Sequence, residues 1–192
     1  MNNNESNPNI IIILADDLGY SDLGCYGSEI KTPNIDSLGN NGIKFSQFYN
    51  QARCSPSRAS LMTGLTGHQA GVGQLSGDLG APGYRGFINN ECVTVAEVLK
   101  QKNYDTYLSG KWHLGMDPKK HGPIQRGFDD FYGTMTGAGS FWDPYTLTRN
   151  TEPVDPDGEN YYYTDKIGTE AVRQIETFAN SEKPFFQYVC LL

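Results

Sequence analysis

Residues 10–14 read Ile-Ile-Ile-Ile-Leu, and two aspartates follow almost at once in Ala15-Asp16-Asp17-Leu18-Gly19. A continuous, β-branched apolar run of this length is expected of a central strand in a parallel sheet, buried on both faces; a strand with one wet face would alternate. The run is too short for a membrane span or a signal-peptide core, and aspartates stand where a cleavage site would be. Cytoplasmic location and a removed export signal both stay open. Ligands of open α/β sheets bind beyond the carboxyl ends of the strands, so Asp16 and Asp17 occupy a position suited to an oxygen-ligand Ca²⁺ or Mg²⁺ site. Taken alone, the pair reads more simply as a turn in which one aspartate caps the next segment.

Strand and helix patterns continue along the chain. Thr32–Leu38 looks like a loop entering a short helix, and Ile43–Tyr49 alternates as a strand should. A helix is expected from Thr94 to Lys102 with Val95, Val98 and Leu99 on one side, then a strand from Tyr104 to Leu108. Asp165–Asn180 is amphipathic, with Ile167, Ala171, Ile175 and Phe178 along one face, and a strand follows from Phe185 to Leu192. This alternation predicts an α/β fold with parallel connections. The stretch from Met116 to Tyr163, rich in Gly, Pro and aromatics, reads as long loops over a pocket, and residues 1–8 read as a flexible tail. A core strand ending on two leucines without a polar turn points to an incomplete sheet.

With 192 residues, 12% aromatics and 19% charged residues, the chain supports one packed domain and not disorder. A net charge of -7 disfavours nonspecific attraction to nucleic acid, and any anionic ligand needs a locally positive pocket. Cys25, Cys54, Cys92 and Cys190 form no C-x-x-C pair and no disulfide framework.

The segment Cys54-Ser55-Pro56-Ser57-Arg58-Ala59-Ser60-Leu61-Met62-Thr63-Gly64 predicts one short helix, with Ser55 as N-cap, Pro56 at the first position and Gly64 past the end. Cys54 then lies at the positive end of the helix dipole, which favours a bound oxyanion and a thiolate, and Arg58 adds charge. An ordinary cysteine before a capped helix fits these local signals equally. In Ser109-Gly110-Lys111-Trp112-His113-Leu114-Gly115, extended geometry puts Lys111 and His113 on one face and Trp112 on the other. A cation beside an imidazole suits sulfate or phosphate binding and proton delivery; a solvated lysine and a packed histidine are the plain alternative. His68 and His121 have no motif partner and are assigned structural or surface roles.

Cys-x-Pro-Ser-Arg followed by Leu-Met-Thr-Gly resembles the signature of the type I sulfatases. The segment from Tyr104 to His113 resembles their second signature, with Asn103 in place of the usual glycine. A cysteine-dependent phosphatase has its arginine six residues after the cysteine, where this chain has Ser60. The resemblance implies an alkaline phosphatase-like fold: a mostly parallel central sheet with helices on both faces, of which residues 9–192 form the N-terminal portion. It implies that a formylglycine-generating enzyme oxidises Cys54 to formylglycine. Asp16, Asp17 and the modified Cys54 then bind a divalent cation, calcium ahead of magnesium. Arg58 stabilises the aldehyde hydrate, Lys111 binds sulfate, and His113 orients a hydroxyl or the sulfate. One hydroxyl of the hydrate attacks the sulfur of a small-molecule or sugar sulfate ester, the alcohol leaves, and the second hydroxyl expels sulfate. A phosphonate or phosphate ester hydrolase of the same superfamily, and a noncatalytic fragment, are the alternatives. No nucleic-acid partner and no membrane span are expected.

Overall fold

The computed structural model describes residues 7–178 and 181–192. Residues 1–6 of the expected tail and residues 179–180 of the expected last helix lie outside them. β1 (Ile10–Leu14), β2 (Asp105–Gly110), β3 (Asp130–Thr134), β4 (Leu147–Arg149), β5 (Glu152–Pro153) and β6 (Phe185–Cys190) form one sheet in the order β1-β6-β2-β3-β4-β5. The first four strands in that order are mutually parallel, with Ile12 and Leu108 both in register with Tyr188; β4 and β5 add antiparallel pairings. The sheet is therefore mixed, and parallel around its core.

Period-two alternation divides the side chains between two cores. Leu108, Phe131, Phe186 and Tyr188 join Trp112 and Phe128 on one face, against α2 (Cys54–Thr63), α3 (Gly67–Ala70) and α4 (Val95–Lys100). Tyr132 and Val189 meet Tyr163, Ile167 and Ala171 of α5 (Tyr163–Phe178) on the other. Helices thus cover both faces, as expected. α5 also buries polar groups: Gln174 donates to the Leu108 carbonyl at 3.1 Å, and Glu170 receives both Arg149 and Arg173. α4 starts with a reciprocal cap, in which Thr94 Oγ1 accepts from the Glu97 amide and Glu97 accepts from the Thr94 amide. Its buried residue is Ala96, while Val98, expected on the apolar side, is 48% exposed.

Three expectations are corrected. Among the described residues β1 pairs only with β6 and stands at the sheet edge, with Ile11 and Ile13 50% and 63% exposed. The helix on that face, α5, packs over β2, β3 and β6, so the isoleucine run is covered on one side where two were expected. Residues 43–49 form no strand; Ile43, Phe48 and Tyr49 project into solvent, because an alternating pattern becomes a strand only beside a neighbour that takes up its amides and carbonyls. The stretch 116–163, read as loops, contains β3, β4 and β5. The helix expected after Thr32 forms as α1 (Pro33–Asn41).

Candidate active site

The carboxyl ends of β1 and β6 and the amino end of α2 converge on one cleft of about 570 Å³, whose lining includes Asp16, Asp17, Arg53, Cys54, Ser57, Arg58 and Leu191. The local reason begins at α2. Arg53 is its N-cap, extended at φ -141° and ψ 149°, so Cys54 is the first helical residue and is half-buried. Ser55, expected to cap, instead sends its buried hydroxyl across to donate to the His113 carbonyl at 2.9 Å. Ser55 is the second residue of the helix, inside its first turn, and so does not occupy the cap position. Gly64 closes the helix as expected, left-handed at φ 71° with its amide on the Ser60 carbonyl.

Arg58 lies one turn beyond Cys54 and is fully buried. Its Nη1 donates to the Lys111 carbonyl at 2.9 Å, and its Nη2 lies 3.6 Å from Asp16 Oδ1. Burial works against the guanidinium charge, but Cys190, Tyr188 and Asp16 around it outweigh burial and hold its pKa above the usual value. Lys111, 1% exposed, donates its ammonium to the other oxygen of Asp16. One carboxylate is thus clasped by two buried cations from different elements.

Lys111 to His113 do not continue as an extended strand. Gly110 turns the chain at φ 109°, where an added Cβ would fall 1.9 Å from the Cys190 carbonyl oxygen, and His113 adopts φ 55°. The amides of Lys111, Trp112 and His113 bond in turn to the carbonyls of Cys190, Thr134 and Met135, which fixes the segment between β6 and β3. Trp112 fills the core and donates Nε1 to His121 O. The His113 ring packs against Gly137, where an added Cβ would sit 2.0 Å from Cε1. Burial first, then Lys111 and Arg58, push its pKa down to about 4, so the ring is neutral at pH 7.

One feature suits an anion. Arg58 Nε and Nη2 and His113 Nδ1 are buried without a hydrogen-bond partner among the described residues, and unpaired buried polar atoms are costly unless a ligand takes them. The fit to a divalent cation is in kind and not in number. Asp16 and Asp17 offer hard oxygens to the cleft, whereas Ca²⁺ takes about six to eight oxygens. No group of three or more His, Cys, Asp or Glu suited to a metal forms among the described residues, so Asp16, Asp17 and Cys54 do not make a ligand set by themselves.

Of the six residues singled out in the sequence, Asp16, Asp17, Cys54 and Arg58 line the cleft, Lys111 reaches it through Asp16, and His113 lies behind it through Ser55. The sequence reading missed Ser55 as a tie and Gly137 as the wall of the histidine. The Gly-Ala-Gly at 137–139 was the available signal, since a glycine often marks a close approach. His68, 3.0 Å from the Tyr84 hydroxyl, and His121, stacked on Phe87, lie outside the cleft lining.

Comparison with known proteins sharpens this picture. The family model described as Sulfatase matches residues 8–192. The chain is 35% identical over 193 residues to arylsulfatase J of Mus musculus, covering 96% of this chain and 32% of that protein. A crystal structure of Ps i-CgsB in complex with k-i-k-neocarrahexaose is 35% identical with a TM-score of 0.84, covering 96% of this chain and 44% of that one. A structure of BT4656 in complex with its substrate D-glucosamine-2-N,6-O-disulfate is 30% identical with a TM-score of 0.75, covering 96% and 34%. The chain therefore spans about a third of the length of the curated relative and less than half of either solved chain.

Proposed function

The chain belongs to the sulfatase family, which it matches over residues 8–192, and from that premise we propose that it carries the nucleophile half of a sulfate-monoester hydrolase site. Residues 9–192 are read as the N-terminal portion of the catalytic domain, preceded by a short tail. The observation that supports this reading best is the convergence on one Asp16 carboxylate of two buried cations, Arg58 and Lys111, beside Cys54. Such a site attracts an oxyanion despite a net charge of -7 because its positive charge is local and shielded from water.

In this mechanism Cys54 is converted by a formylglycine-generating enzyme to an aldehyde, whose hydrate supplies the attacking hydroxyl. Asp16 and Asp17 would hold a divalent cation, calcium ahead of magnesium, with Cys54 in its modified form as a further ligand; the ion would withdraw charge from the sulfate and acidify that hydroxyl. Arg58 would stabilise the charge of that hydrate through Nε and Nη2, which have no hydrogen-bond partner among the described residues. Lys111 holds a sulfate oxygen. Neutral His113 accepts or shares a proton at Nδ1 and thereby orients a hydroxyl or the sulfate. The substrate class is a small-molecule or sugar sulfate ester, in keeping with the sulfated sugar bound as substrate in the BT4656 structure.

Tetrahedral sulfate and phosphate present similar oxygens to these donors, so phosphoryl transfer is the competing reading. Matched aryl sulfate and aryl phosphate esters separate the two in the full-length enzyme. Faster turnover of the sulfate is expected; faster turnover of the phosphate overturns the reading.

A further inference from the structure

The change from parallel to antiparallel pairing after β3 brings two more loops to the end of the sheet that carries Asp16 and Lys111. β3 is parallel to β2, so loop 135–146 leaves it at that end; β4 runs away from it, β5 returns, and loop 154–162 emerges alongside. The first loop starts against the His113 ring at Gly137. The second ends at Tyr163, whose amide donates to the Phe141 carbonyl at 2.7 Å and whose hydroxyl accepts from the Thr134 amide at 2.8 Å. The two loops are thus fastened to each other and to the wall of the candidate active site.

Between them lies a second cavity, of about 560 Å³, with Trp142, Tyr162, Asp143, Glu159 and Asn160 in its lining. Phe141, Trp142 and Tyr162 form a mutually contacting cluster with ring centroids 5.8 to 6.1 Å apart, and the Trp142 indole is 68% exposed. Asp143, Glu159 and Asn160 are exposed beside it. An aromatic face next to polar groups that both donate and accept matches one kind of ligand: a ring with an apolar C–H face and a rim of hydroxyls. A wholly apolar alcohol would strip water from the three polar side chains and give nothing back. A sulfate group in this cavity would meet two carboxylates.

We propose that this cleft is an accessory subsite for an uncharged pyranose ring, which makes the substrate a carbohydrate sulfate ester whose neighbouring sugar stacks on Trp142. The inference rests on the sulfatase reading for the reaction, and on the cavity alone for the binding. Lactose, cellobiose and maltose titrated by calorimetry into this chain test it, with choline as a cationic probe of the same aromatic and acidic groups. Saturable binding of at least one disaccharide is expected, about tenfold or more weaker in Trp142→Ala and retained in Trp142→Phe. No binding by any of the three, equal binding by Trp142→Ala, or binding of choline in their place overturns the proposal. Turnover of an aryl sulfate by the full-length enzyme keeps the two readings apart. Aryl sulfate cleavage without disaccharide binding removes the subsite and leaves the reaction standing. Trp142-dependent disaccharide binding without cleavage of any sulfate ester removes the reaction and leaves the subsite standing.

Discussion

At the scale of single residues the candidate site is a problem of buried charge. Arg58 and Lys111 are as buried as core apolar residues, and Asp16 is the carboxylate they share. Removing one partner of such a set leaves an uncompensated charge, so the variants must be read for stability as well as rate. In the full-length enzyme, Lys111→Ala and Arg58→Ala are each expected to lower kcat/KM for an aryl sulfate by about 10²- to 10³-fold; steady-state kinetics on protein shown by circular dichroism to be folded checks this. His113 supplies a pH signature. Its pKa is about 4 in the folded chain against 6.5 as reference, so folding favours the neutral ring. Its contribution is fully present above the unfolded value and is lost as pH falls from about 6.5 toward 4. Urea unfolding at about pH 7.5 and about pH 5 should show a loss at the lower pH that His113→Gln reduces; an identical loss in that variant would contradict the assignment.

At the scale of elements, the parts legible in the sequence are those whose signals are local. α2 was visible because Gly64 fits just past a helix end, and α4 because Val95, Val98 and Leu99 recur at helical spacing. β6 was visible as an apolar run after Lys183-Pro184. The misreadings are all tertiary. The Ile10–Leu14 run does not say how far α5 extends, Ile43–Tyr49 does not say whether a neighbouring strand exists, and Ser55 looks like a cap until His113, 58 positions away, is placed beside it. The Asp16, Lys111 and Arg58 cluster was likewise approached by three separate motifs, and only the parallel register of β1, β6 and β2 brings their ends to one level. The Ser55 tie makes a specific prediction. Ser55→Ala leaves the buried His113 carbonyl without that donor and should destabilise the chain by about 1–3 kcal/mol, measured by denaturant unfolding. Unchanged stability would mean that the Ser55 tie adds nothing to the Arg58 hydrogen bond and the packing that hold α2 on the Lys111–His113 segment.

At the scale of the whole molecule, the described residues leave a broad apolar surface beside the candidate site. Ile11, Ile13, Leu38, Ile43, Phe48 and Tyr49 are each half or more exposed, and β1 presents an unpaired edge among the described strands. Exposed patches of this kind bind apolar dyes and promote association. The 192-residue chain is expected to enhance the fluorescence of an anilinonaphthalene dye, with the signal reduced by Ile13→Lys; no enhancement would show that this surface is covered in solution. The acidic net charge and the locally positive cleft fit together only if the cleft is chemically specialised, and the proposed chemistry turns on the side chain at residue 54. The most direct test is mass spectrometry of the tryptic peptide that begins after Arg53, taken from protein made in its native cell. The expected result is a residue-54 side chain that has lost its sulfur and carries an aldehyde. An intact cysteine throughout the sample would contradict the proposed mechanism.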